Sequence, residues 1–225
     1  MVVTLSNGGY AKTQPLSDYQ AQRRGGRGRS ASAVKEEDFI EKLLVTNSHD
    51  TLLCFSDRGK VYWLRTFQIP IASRAARGRP VVNILPLGEG ERITAMLPIE
   101  GYGEDQFIFM ATANGTVKKT PLMDFARPRS SGLIAIELED DNTLIGASVT
   151  DGASDVMLFS SGGRAIRFKE QDVRAMGRSA RGVRGIKLRA SEAVISLIIP
   201  NAAGTLLLAS EKKIEKTEKK SKRKK

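Results

Sequence analysis

Gln22, Arg23, Arg24, Gly25, Gly26, Arg27 and Gly28 run consecutively as QRRGGRG, three guanidinium groups among three glycines with no acid between them. Arg29 follows at once, so residues 20–34 carry four positive charges and no negative one. Nothing in this segment offers apolar surface to bury, which excludes a core element and leaves a loop. The chemistry it can do is anion recognition. A guanidinium presents a planar fork of donors that matches phosphate oxygens, and the diglycine lets backbone N–H groups come close to an anion. Gln22 adds a neutral donor. Bond-making chemistry has little to work with: Cys54 is the only cysteine and His49 the only histidine, so a zinc site or a Ser-His-Asp triad lacks its parts. Cys54 sits in the apolar run LLCFS, where a buried structural thiol is expected.

The rest of the composition agrees with a polyanionic partner. The formal charge is +11, from 36 basic and 25 acidic residues. Residues 211–225 hold nine of the basic and three of the acidic residues, so +6 of that charge lies in a lysine-rich tail. A block of like charges is predicted to be solvated and unstructured. The lone cysteine suits a reducing cytoplasm. The N-terminus lacks the pattern of a signal peptide, and the longest apolar runs, such as AVISLIIP, are too short to span a bilayer. A soluble, cytoplasmic, non-membrane domain is expected.

What must position the arginines is a repeat of about fifty residues. VVTLSNGG (2–9), LLCFSDRG (52–59), IFMATANG (108–115) and VMLFSSGG (156–163) each close an apolar run on Ser or Thr, with a glycine three residues later. Ten residues beyond Gly9, Gly59, Gly115 and Gly163 stand Tyr19, Ile69, Phe125 and Val173, and a second glycine follows at Gly28, Gly78, Gly132 and Gly182. An apolar run, a glycine turn and a second run predict a hairpin. Two further strand-like stretches follow the second glycine, as in RPVVNIL and RITAMLPI. Four short strands per unit predict an all-β, propeller-like fold of four-stranded antiparallel blades. The units fall at roughly 1–50, 51–105, 106–154 and 155–203. LLLAS (206–210) reads as the start of a fifth, with a partial strand over 204–210, but Lys213 stands where its glycine belongs. No sustained 3.6-residue period supports a long helix before residue 210.

Aligned on the repeat, the opening loop has counterparts. Arg24, Arg74 and Arg178 share one position, and Arg27, Arg77 and Arg181 another, with the third copy (RPRSSG, containing Arg129) degenerate. Arg79 and further cations after the first turn, among them Lys12, Lys60, Lys118, Lys119, Arg164 and Arg167, are expected to join them in a basic band on the rim. A merely solubilising surface mixes signs, whereas these loops hold arginine with little acid. Few aromatic residues flank them, so stacking of single-stranded bases has little support. Phosphate contacts without a recognition helix predict duplex binding with weak sequence preference, and cations spread around a curved edge predict bending.

QRRGGRG, with YAKTQPLSDY, ARGRPVVNILPL, FMATANGTVKKT and VRAMGRSARGVRGIKL, resembles the C-terminal domain family of the bacterial DNA gyrase A protein, whose signature is the gyrase A box. The resemblance covers residues 1 to about 210. It implies a β-pinwheel whose blades exchange strands and wrap double-stranded DNA around a positive edge. In the intact enzyme, an A2B2 assembly of the gyrase A core and gyrase B, that chiral wrap supports ATP-driven negative supercoiling and depends on the box. Gln22 to Gly28 would then be the principal contacts. Arg29, Arg74, Arg77, Arg79, Lys118, Lys119, Arg129, Arg167, Arg178 and Arg181 would extend them. The family's DNA-cleaving tyrosine belongs to a domain that would precede Met1, so no catalysis, metal or cofactor is expected in these residues, and an isolated domain should be monomeric and nucleoid-associated. The family commonly has six blades, against about four here. The corresponding domain of the related topoisomerase IV is the nearest alternative, although its box is generally degenerate, and a protein- or RNA-binding propeller is a more distant one.

The tail adds charge without curved surface. Deleting residues 211–225 should therefore lower duplex affinity and leave the bend angle unchanged, as a circular-permutation mobility assay can show. Unchanged affinity with the bend abolished would make the tail structural.

Overall fold

The computed structural model of the chain describes residues 1–19, 24–25 and 38–201. Within them the fold is all-β, with strands organised in four antiparallel sheets. Each repeat begins with a hairpin: β1 (Val2–Ser6) with β2 (Tyr10–Gln14), and, after β3 (Ile40–Val45), β4 (Thr51–Ser56) with β5 (Lys60–Arg65). Further along come β6 (Arg79–Pro80), β7 (Ile93–Ile99), and the hairpin of β8 (Phe107–Thr112) and β9 (Thr116–Pro121). The chain continues through β10 (Leu133–Ile134), β11 (Leu144–Thr150), the hairpin of β12 (Asp155–Ser160) and β13 (Ala165–Lys169), then β14 (Val183–Arg184) and β15 (Val194–Ile198). Gly9, Gly59, Gly115 and Gly163 all turn these hairpins at positive φ, the conformation that costs glycine least.

The sheets do not coincide with the repeats. Their orders are β3-β1-β2-β6, β7-β4-β5-β10, β11-β8-β9-β14 and β15-β12-β13. The outer strand of each of the first three is donated by the repeat that follows. Arg79 pairs with Ala11, Leu133 with Val61, and Val183 with Val117. This is the strand exchange that the family resemblance implies. It makes the structural blade straddle two sequence units. Among the described residues the fourth sheet has three strands rather than the expected four. LLLAS and the tail lie outside the described residues.

Strands β4 and β8 carry uninterrupted apolar runs, Leu52–Phe55 and Ile108–Ala111, because both of their faces are buried. On β4, Leu52 and Cys54 join the core shared with the first sheet, while Leu53 and Phe55 join the core shared with the third. On β8, Ile108 and Met110 face one way and Phe109 and Ala111 the other, the latter packing with Val156 and Leu158 of the fourth sheet. Ile69, Phe125 and Val173, the apolar residues ten positions past the first glycine, each plug one of these three cores from the end of a 3₁₀ turn. Every core is thus a contact between neighbouring units, as expected of repeats that cannot bury their faces alone. Cys54 is fully buried, as expected, and burial pushes its thiol up to about 12.

One expected strand is shorter than the sequence suggests. Of RPVVNIL only Arg79 and Pro80 pair, and Val81–Asn83 coil into a 3₁₀ turn. Proline has no N–H with which to extend a ladder. Beyond it, Val81 donates to the Gly9 carbonyl at 2.9 Å, and Leu85 back to Val81 at 2.8 Å.

The second glycine of each repeat has a stricter role. Gly78, Gly132 and Gly182 hold positive φ where the chain crosses onto the preceding sheet. A Cβ on Gly78 would lie 2.4 Å from the Ala11 carbonyl oxygen, and one on Gly182 2.5 Å from that of Val117. On Gly132 it would meet the Tyr62 ring at 2.6 Å. Gly163 has the same sign of φ but open space. Gly163→Ala should accordingly cost only the left-handed backbone penalty, about 1–2 kcal/mol. Gly78→Ala adds a backbone collision and should cost roughly 3 kcal/mol or more. Urea unfolding compares the two directly, and equal losses would contradict a steric requirement at the crossing.

Candidate nucleic-acid interface

Strand exchange sets the arginine loops on a neighbour's sheet. The loop ahead of β6 belongs to the second repeat and packs on the first. Arg77 lies over the Tyr10 ring, 4.1 Å from its centroid. Arg74 lies 5.6 Å from the Tyr19 centroid and donates to the Asp18 carbonyl. Cation–π contacts of this kind contribute about 0.5–1 kcal/mol at exposed sites, and they hold the guanidinium groups against half-buried ring faces. Arg77 and Arg79 are exposed, while Arg74 is partly covered.

The fourth repeat repeats the arrangement on the third sheet. Arg181 is exposed and pairs with Glu137 at 3.3 Å. Arg178 is half-buried and lines one shallow depression with Arg129, Asp124 and Ser179. Arg129, from the degenerate loop, is exposed, so loops of adjacent repeats bring cations to one surface. Arg167 is exposed but shares Asp155 with Lys169. Hydrogen bonds from Lys169 and Arg167 hold the Asp155 carboxyl below the usual range. Of the box, Arg24 and Gly25 are described. Both are exposed, and Gly25 has φ +88°. Gln22, Arg23, Gly26, Arg27, Gly28 and Arg29 lie outside the described residues.

Three lysines expected on the rim are interior. Lys118 is fully buried, and its Nζ donates to the carbonyls of Ala135, at 2.7 Å, and Arg178. Lys119 is buried on the other face of β9, with Nζ donating to the Glu170 carbonyl at 3.2 Å and lying 5.1 Å from the Phe107 centroid. Lys12 is buried too and donates to the carbonyls of Ser73, Arg74 and Ala76. All lie on strands buried on both faces, so a long side chain there is enclosed whichever way it leaves the backbone. Lys12 and Lys118 meet the arginine loops from behind, whereas Lys119 meets the 3₁₀ turn at Glu170. The residues missed at the sequence level are Tyr10, Tyr19 and Lys12 in this supporting role. Spacing alone gave no signal for it, since the arginine loop that all three meet lies in the next repeat.

A family model described as the DNA gyrase C-terminal domain, beta-propeller, matches residues 1–47, 50–100, 106–151 and 154–201, one segment per repeat. The DNA gyrase A protein of Salmonella typhimurium strain LT2 is 60% identical over 211 residues, covering 94% of this chain and 24% of that protein. The chain therefore spans about a quarter of that relative's length. Among solved structures, the C-terminal domain of DNA topoisomerase IV aligns with a TM-score of 0.74 at 28% identity, covering 89% of this chain and 61% of that one. A DNA gyrase A C-terminal domain aligns at 0.69 and 26%, covering 87% and 63%.

The buried Lys118 gives a pH signature. Burial brings its amine down to about 8 from 10.5. Between those values the unfolded chain binds a proton that the folded chain has released, so this group makes stability rise with pH. Cys54 acts oppositely above its unfolded value of 9.0, because the folded thiol keeps its proton up to about 12. The urea midpoint should therefore climb between pH 8 and 9 in the parent chain and climb less in Lys118→Met. The same climb in both would contradict an interior ammonium.

Proposed function

The chain belongs to the DNA gyrase C-terminal domain family, and from that premise we propose that it binds duplex DNA through phosphates and bends it along successive blades. The observation that carries this reading is the recurrence of exposed arginines at one place in the repeat. Arg77 and Arg79 ride on the first sheet and Arg181 on the third, each set beside a partly covered arginine, Arg74 or Arg178. Arg129 supplies the intermediate repeat. Lys118 and Lys119, being interior, leave the set of direct contacts, and Arg167 joins it only if duplex competes with Asp155. Gln22, Arg23, Arg24, Gly25, Gly26, Arg27, Gly28 and Arg29 complete the set, the diglycine making the first loop the densest anion site.

No described helix is long and apolar enough to cross a membrane, and no step of this function calls for a cofactor in the chain. In an intact gyrase, with the gyrase A core and gyrase B, the wrap would present a second duplex segment for ATP-driven negative supercoiling, with strand cleavage residing elsewhere. The intact diglycine box favours a gyrase role over a topoisomerase IV role. The shape similarity to both keeps the latter as the comparison to make.

Each neutralised phosphate contributes about 0.9 to the slope of log affinity against log salt. The parent chain should show a steep slope and little dependence on sequence. Replacing Arg23, Arg24 and Arg27 with alanine should reduce DNA bending more than the matched change at Arg74, Arg77 and Arg79. A flat salt dependence would refute phosphate binding, and equal damage from the two triples would refute a special role for the box.

A further inference from the structure

The position three residues past the first glycine is occupied by Lys12, Tyr62, Lys118 and Ile166 in successive repeats. At two of these positions an ammonium is buried against the loop donated by the following repeat. Lys12 Nζ reaches the Arg74 carbonyl at 3.0 Å, together with Ser73 at 3.2 Å and Ala76 at 2.9 Å. Lys118 Nζ reaches the Arg178 carbonyl and that of Ala135. Arg74 and Arg178 hold the same place in the repeat, four residues before Gly78 and Gly182, so the bond recurs with its register intact.

The other two positions show what accompanies the lysine. Tyr62 receives the degenerate loop, and its ring fills the space beside Gly132 while its hydroxyl donates to Glu91 at 3.0 Å. Ile166 is half-buried on β13, whose outer edge receives no donated strand among the described residues. The fold therefore accepts an aromatic or an aliphatic residue at this place. The amine accompanies the loops that carry both arginines, RAARG and RSARG.

Resting on the reading of these loops as phosphate contacts, we propose that Lys12 and Lys118 are positioning residues for the DNA interface. Lys12 gathers three carbonyls of its arginine loop inward, and Lys118 ties the Arg178 carbonyl of its loop to that of Ala135 on the receiving repeat, so each fixes its loop in the conformation that presents its guanidinium groups together. A carbonyl-lined loop without an internal cation would have to turn those oxygens to solvent, on the side where phosphates arrive. The buried amine thus removes a repulsive acceptor as well as ordering the loop. An ammonium has three N–H donors and can donate to several carbonyls at once while the guanidinium groups remain outside.

The test uses the full chain and a short duplex of mixed sequence, with Lys12→Met, Arg74→Ala/Arg77→Ala and the combination. Folding is monitored by circular dichroism. Lys12→Met should lose about tenfold in affinity at moderate salt and lower the log–log salt slope by about 1–2, the share of the contacts its loop makes. In the Arg74→Ala/Arg77→Ala background the same change should add less than about twofold, because the loop it positions has already lost its charge. An unchanged slope, or a loss that persists in full without the arginines, would overturn the proposal, because a merely structural lysine acts regardless of the loop's charge. If Lys12→Met does not fold, Lys118→Met against Arg178→Ala/Arg181→Ala decides in the same way, and failure of both to fold would make the lysines framework residues and overturn it too. Absence of salt-sensitive binding by the parent chain would instead sink the underlying DNA reading, an outcome distinguishable from all of these.

Discussion

A backbone crossing organises this molecule. At Gly78, Gly132 and Gly182 the chain passes so close to the preceding sheet that a single methyl group would collide with it. Beyond each crossing only two residues complete the neighbour's ladder. That brief pairing ties every repeat to the one before it, complementing the apolar cores they share. It also carries the residues immediately before the glycine, the arginine loop, onto a sheet built by another repeat. Position of charge and cohesion of the fold are consequences of the same contact.

The two sides of the RAARG and RSARG loops are chemically distinct. Outward stand guanidinium groups, some held against tyrosine rings and one against a glutamate. Inward lie carbonyls satisfied by buried lysines from the receiving sheet. Burying an ammonium is costly unless acceptors surround it, and the lowered proton affinity of both Lys12 and Lys118 reflects that cost. Nearby acids moderate some of the outer charge, most fully at Asp155, so the arginines are not equivalent. The exchanged loops are moderated too, Arg181 by Glu137 and Arg77 by Asp38.

Much of this was legible from the amino acids alone. Glycine spacing gave the unit length, because both glycines answer to backbone geometry that no other residue meets as cheaply. Uniformly apolar runs such as LLCF and IFMA signalled strands buried on two faces. Strand exchange was not readable from composition or spacing, since a pair as short as Arg79–Pro80 leaves no periodic trace; only the family resemblance pointed to it. The lysines misled for a related reason. A cation in YAKT or VKKT reads as a surface charge, yet Lys12 is buried, and Lys118 and Lys119 point into opposite faces of a doubly covered strand. Tyr10 and Tyr19 escaped notice as arginine platforms because the arginines they support lie far along the chain, in the next repeat, a separation that only folding removes.

Curvature of bound DNA is where the geometry and the proposed function meet. The most direct measurement is the linking number of closed circular DNA relaxed by a type I topoisomerase while saturated with the chain, then stripped of protein. If successive blades guide the duplex along a chiral path, the topoisomer distribution shifts away from that of the protein-free control, in proportion to the chain bound. A distribution that stays centred on the control at full occupancy would mean that the arginine loops bind DNA without wrapping it.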